Sequence, residues 1–296
     1  MISANRLDAA RRNRNHRAMV TFKRPAIVEE IRLPRLRVSY LDWPGDGPPV
    51  LLMHPNRTNA RVWDFVVDAS TLPNRFVAPD ARGHGLSDYP ERGYVLQEYV
   101  WDLIEFLDAL QIDRIVLVGA ATGGNIALLV ASQYPQRIAG LVVADPGLSL
   151  DKKISGDVKE EIVKNFRFPD FETAKAAMPF SALWSDDMKD HYAEHSFKRL
   201  ESGEVEWRYY PAGAQYTEGL LEEDMWDDIN VSCPTLMMRG ADSHVFPAHN
   251  MKRLQEMISG SEAHDIHECD HRISQDQPKH MAGLIDDFVK RRVTGA

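Results

Sequence analysis

The chain has 296 residues, 44% hydrophobic and 27% charged, with a formal net charge of −9. That length suits one large α/β domain or two small ones, and the acidic balance speaks against a general nucleic-acid binder. No apolar run approaches the roughly 20 residues of a membrane span, and the start lacks the apolar core of a secretory signal. With two cysteines, Cys233 and Cys269, a disulfide framework is not expected and a reducing cytoplasm is the default location.

Residues 1–26 read as a basic arm, in which Arg6, Arg11, Arg12, Arg14, Arg17, Lys23 and Arg24 face Asp8 alone. A mitochondrial-type leader is Arg-rich and acid-poor in the same way. The plainer reading is a solvated arm, or one docked on an acidic surface of its own or a neighbouring subunit, which leaves a homo-oligomer open. Beyond it, apolar runs alternate with helix-like stretches, the rhythm of a largely parallel sheet. Residues 27–33 and 36–43 read as an opening antiparallel pair. Further strands are expected at 50–54, 75–79, 115–118, 138–144, 234–238 and, more weakly, 263–267. Helical periodicity marks 96–110, 125–133, 248–258 and 280–291. Between 147 and 228 the strand rhythm stops. This acidic, helix-prone stretch holds Phe166, Phe168, Phe171, Phe180, Trp184, Tyr192, Trp207, Tyr209, Tyr210 and Trp226. Each can be packing for its own unit; as a group they suggest an apolar chamber for a small-molecule substrate.

The informative segment is Gly119-Ala120-Ala121-Thr122-Gly123, where an apolar strand runs through a tight turn into a helix. This is the spacing of a nucleophile elbow, G-x-S-x-G, with a methyl group where the serine hydroxyl would be. Four more segments follow the same plan: Leu51-Leu52-Met53-His54-Pro55-Asn56, Asp80-Ala81-Arg82-Gly83-His84-Gly85-Leu86-Ser87, Arg239-Gly240-Ala241-Asp242, and Asp270-His271 ahead of Gln277-Pro278. In this order, and from about His54 to the C-terminus, the chain resembles the α/β-hydrolase fold superfamily, in its lid-bearing esterase, lactonase and C–C hydrolase forms. Pro55 departs from the usual glycine.

The resemblance implies an α/β fold with a mostly parallel central sheet flanked by helices. Residues 27–146 and 229–296 would form the core, with 147–228 as a helical lid between strands six and seven. It puts Ala121 at the nucleophile position, His271 as the base, and Asn56 and Thr122 at the oxyanion hole. For the acid, the positions usual after strand seven hold Ser243 and His244, with Asp242 one residue early. A second family location, just after strand six, holds Asp145. Asp145 is preferred and Asp242 stays open as the alternative. Arg57 and Trp184 are the substrate-binding candidates, and His54 and His84 shape loops. No cofactor is implied. His264, His267 and His271 mimic a metal cluster, but strand alternation puts His264 and His267 on opposite faces, so no metal is expected.

Ala121 leaves three explanations: an engineered Ser→Ala change, a natural relative that binds without cleaving, or a lost aspartate of the dehalogenase kind, toward which Asn56 points and Thr122 does not. The first is preferred, because the surrounding pattern is otherwise consistent with catalysis. The expected activity is hydrolysis of a small ester, lactone or amide. A non-catalytic binding protein, or a cofactor-free C–C hydrolase or oxygenase, remains as the alternative.

Overall fold

The computed structural model describes residues 20–164 and 166–295; most of the basic arm, up to residue 19, lies outside the described residues. Eight strands form one sheet: β1 (Ile27–Arg32), β2 (Arg37–Trp43), β3 (Gly47–Met53), β4 (Asn74–Pro79), β5 (Ile115–Ala120), β6 (Ile138–Ala144), and, after an insertion that contributes β7 (Arg167–Phe168), β8 (Phe197–Arg199) and β9 (Val205–Trp207), β10 (Thr235–Gly240) and β11 (Glu262–Ile266). Their spatial order is β1-β2-β4-β3-β5-β6-β10-β11. The first pair and the β2–β4 contact are antiparallel; every later pair is parallel. β5 is buried at all six positions, as a strand covered on both faces must be, and its continuous apolar run follows from that.

Helices cover the two faces. On one lie α1 (Asp64–Ala69) and, near the C-terminus, the helix Pro278–Phe288, packing Trp43, Trp63, Phe76 and Phe288 against the sheet. On the other lie α2 (Leu96–Ala109) and α3 (Thr122–Gln133), with Ala248–Met257 beyond, burying Phe106, Leu128 and Leu254. Fully burying one such side chain contributes about 1.5–3 kcal/mol. The tail of the basic arm belongs to this core. Arg24 donates from Nη1 to Leu72 O at 3.0 Å and from Nη2 to Asn74 O at 2.8 Å, with its guanidinium over the Phe76 ring.

The stretch read as a helical lid holds four helices, α4 (Lys152–Lys164), α5 (Phe171–Ala176), α6 (Asp186–Ser196) and α7 (Pro211–Leu220). It also holds a three-stranded antiparallel sheet, β7-β9-β8. Strands of two or three residues are too short to show a period of two, so the sequence reads there as helix and loop. Two backbone hydrogen bonds bind this unit to the core turn at 83–85, Gly85 N–H to Arg208 O and Tyr210 N–H to Gly83 O, and together they make an antiparallel bridge between His84 and Tyr209. Among the described residues no helix is long and apolar enough to cross a membrane.

Candidate active site

The turn between β5 and α3 forces Ala121 to φ 50° and ψ −122°, a backbone state that costs a residue with a side chain on the order of 1–3 kcal/mol. The flanking glycines show why the turn is so tight. A Cβ on Gly119 would lie 2.2 Å from Gly123 O, and one on Gly123 would lie 2.3 Å from Met53 O. The helix therefore starts pressed against β5 and β3, and Ala121 projects from the apex into a cavity of about 350 Å³. Thr122 stands at the first position of α3, where the N–H groups have no acceptor within the helix. Both Thr122 and Asn56 line the cavity.

Asp145 follows β6, and its carboxylate is buried and met by three donors. His271 Nδ1 lies 2.8 Å from Oδ1, Ser243 Oγ donates to Oδ1 at 2.6 Å, and Gly240 N–H donates to Oδ2 at 2.7 Å. A carboxylate accepts only, so Nδ1 carries the proton, and the lone pair of the neutral imidazole is on Nε2. Asp145 sits at φ 49°, and the Asn125 side chain holds the following turn by bonding both the N–H and the C=O of Gly147. The histidine loop can reach this carboxylate because Gly240 has no side chain; a Cβ there would fall 1.5 Å from Asp270 O. Asp242 is exposed, and its N–H goes to Cys269 O. The structure thus brings His271 to Asp145 and leaves Asp242 outside. Ser243, at the position where the resemblance expects an acid, sends its hydroxyl to the carboxylate arriving from β6.

The remaining candidates have partners of their own. Asn56 Nδ2 donates to Ala214 O and to Glu218 Oε2, both at 3.1 Å, so its side chain fastens α7. Arg57, at φ 63°, lines the cavity and pairs with Glu161 of α4 at 3.3 Å. Trp184 is buried against the cavity, donates from Nε1 to Asp276 at 2.7 Å and lies under the Arg272 guanidinium. His54 and His84 support the loop that carries Pro55, Asn56 and Arg57. His54 Nε2 accepts the Ala81 N–H at 2.9 Å, while Nδ1 donates to Pro55 O. Burial pushes their pKa values down to about 4 and about 3, so both stay neutral as hydrogen-bonding supports. Cavity residues that escaped the sequence reading include Glu218 on α7 and His195 on α6, the latter's pKa lowered to about 4 by burial. In an acidic, helix-prone segment neither stands out.

The sheet order, the elbow and the histidine–carboxylate pair together define a class, and the comparisons agree. Residues 48–277 match the family model described as alpha/beta hydrolase fold, so the chain belongs to the α/β-hydrolase family. It is 28% identical to a 2-hydroxy-6-oxo-2,4-heptadienoate hydrolase of Pseudomonas putida, over 83% of this chain and 90% of that one. It is 26% identical to an esterase of Mycobacterium tuberculosis, over 86% and 87%. The crystal structure of an E-2-(acetamidomethylene)succinate hydrolase superposes with a TM-score of 0.83 at 21% identity, over 90% of this chain and all of that one, and shows the shared fold. These relatives are hydrolases.

Proposed function

We propose that the chain is a hydrolase of a small organic ester, lactone or amide that works by a serine–histidine–aspartate mechanism, and that Ala121 makes this form inactive. The observation that carries the reading is the His271–Asp145 pair at 2.8 Å, with the carboxylate fully buried and both oxygens satisfied. A buried acid and an oriented imidazole beside an empty apex are costly to keep for packing alone. With serine at 121, Oγ attacks the substrate carbonyl while His271 Nε2 takes its proton, and Asp145 steadies the imidazolium. The N–H groups of Thr122 and Asn56 hold the developing oxyanion. The imidazolium gives that proton to the alcohol or amine as its bond to the carbonyl carbon breaks; water, deprotonated by His271 Nε2, then attacks the acyl-enzyme, and the proton passes to the departing Oγ as the acid is released. No metal or cofactor enters these steps. Without the hydroxyl, kcat falls by on the order of a millionfold, while the cavity remains able to bind.

The expected outcome is that Ala121→Ser gives hydrolysis of p-nitrophenyl esters, which a further His271→Ala removes. A folded Ala121→Ser form silent on ester, lactone and amide panels would sink the reading. The methyl group at the apex favours a second reading, a binding protein that keeps its ligand intact. The parent gene separates the two: a serine codon at 121 supports the hydrolase, and an alanine codon supports the binder.

A further inference from the structure

Glu218 is 8% exposed and lines the cavity from α7. Its Oε2 accepts one neutral hydrogen bond, from Asn56 Nδ2 at 3.1 Å. Among the described residues, no Lys, Arg or His nitrogen forms an ion pair with it, although other acids at the cavity do have such partners: Arg57 meets Glu161 at 3.3 Å and Arg272 reaches Asp270 at 3.7 Å. The second oxygen, Oε1, accepts no hydrogen bond from a described residue and keeps some accessible surface, on a residue that lines the cavity.

A carboxylate taken out of water needs a cation or several donors to offset its desolvation. One amide N–H from Asn56 is a partial offset. The location makes the charge consequential as well. Asn56 is the residue whose backbone N–H the hydrolase reading assigns to the oxyanion, and its side chain touches Glu218. An uncompensated negative charge at that point opposes the negative charge that grows on a carbonyl under attack. A cation seated on Glu218 reverses the effect, since it completes the ion pair and removes the repulsion together. Substrate anions are disfavoured there by the same Coulomb argument.

We infer that Glu218 is a specificity-determining residue that holds a protonated amine of the substrate beside the oxyanion loop, so that the preferred substrate is a small amino-substituted carbonyl compound. This rests on the hydrolase reading for its kinetic consequence, but the binding site itself does not depend on turnover.

The test therefore has a binding arm and a kinetic arm. In the Ala121 protein as it stands, calorimetry compares 4-aminobutanamide, butanamide and 4-hydroxybutanamide at pH 7. The amine is expected to bind at least tenfold more tightly than either neutral probe. Glu218→Gln, which keeps an acceptor for Asn56, should bring the three affinities together. In the Ala121→Ser background, the ratio of kcat/KM for p-nitrophenyl 6-aminohexanoate to that for p-nitrophenyl hexanoate should fall at least tenfold on Glu218→Gln. A change in that ratio cannot come from a loosened fold, which lowers both rates. Equal binding of all three probes, hydroxyl binding as tight as amine binding, or an amine preference that survives Glu218→Gln each overturns the inference. Should neutral esters turn over without any amine preference, the inference falls and the hydrolase stands. Conversely, amine binding in a protein whose Ala121→Ser form is inert keeps the site and removes the hydrolase.

Discussion

Asp145 and Asp242 stand three residues or fewer from turn glycines, yet their surroundings differ in kind: one carboxylate is sealed under three donors, the other is open to water. In the Ala121→Ser form, Asp145→Asn should lower kcat by roughly 10⁴, as loss of the orienting acid does in a serine protease. Asp242→Asn should change it by no more than a few-fold. Steady-state kinetics with both variants shown folded by circular dichroism decide this, and a severe loss confined to Asp242→Asn would reverse the assignment. Arg57 calls for a smaller effect. Its ion pair with Glu161 is half open to solvent and holds it only weakly, so a substrate carboxylate could displace Glu161 at the cavity mouth. Arg57→Ala should raise KM for acidic esters and spare neutral ones. Equal effects on both would assign it to packing.

At the scale of elements, the site depends on how closely backbones approach. β10 meets the histidine loop at Gly240, where an added Cβ would overlap Asp270 O at 1.5 Å. The clash is with backbone, so the whole loop must shift. Gly240→Ala should destabilise the fold by about 1–3 kcal/mol or more and, in the Ala121→Ser form, abolish turnover by moving His271 away from Asp145. Urea denaturation and kinetics on one sample test both halves; a variant with normal stability and rate would show that the loop yields freely. The residues leading into β1 are a second case. Arg24 closes hydrogen bonds to Leu72 and Asn74 and covers Phe76. Deleting residues 1–24 should therefore lower the denaturation midpoint relative to deleting 1–19, and coincident midpoints would rule out a docking role for Arg24.

For the molecule as a whole, buried histidines set the response to acid. His54, His84 and His195 have folded-state pKa values of about 4, 3 and 4, lowered mainly by burial from 6.5. Below pH 6.5 the unfolded chain binds protons that the folded chain refuses, so stability falls as pH falls toward 4, by up to roughly 1.4 kcal/mol per pH unit for each group. Asp80 opposes this. Burial raises its pKa from 3.8 to about 6, so between pH 6 and 3.8 the folded state binds the extra proton and acidification stabilises. Three groups against one leave a net loss. Denaturation at pH 5 should give a lower unfolding free energy than at pH 7, with proton uptake on unfolding; a protein more stable at pH 5 would contradict the burial of these rings.

By itself the sequence determined the class of fold and the chemistry available to it. Apolar runs rich in β-branched residues at 115–118 and 138–144 read as covered strands, and Gly119 and Gly123 around Ala121 specify a turn that few arrangements need, because local sterics act between neighbours in the chain. Asp145 and His271 were both visible as candidates, but not which acid the imidazole would meet. That choice was made by the order of strands, which sets β6 beside β10 and lets Gly240 admit the Asp270–His271 backbone against the end of the sheet. The small sheet in the insertion, the capture of the Asn56 side chain by α7, and the exposure of Glu218 to the cavity are likewise products of tertiary packing. Each depends on contacts between residues tens to more than a hundred positions apart, as with the 162 between Asn56 and Glu218, and no local periodicity records such a meeting.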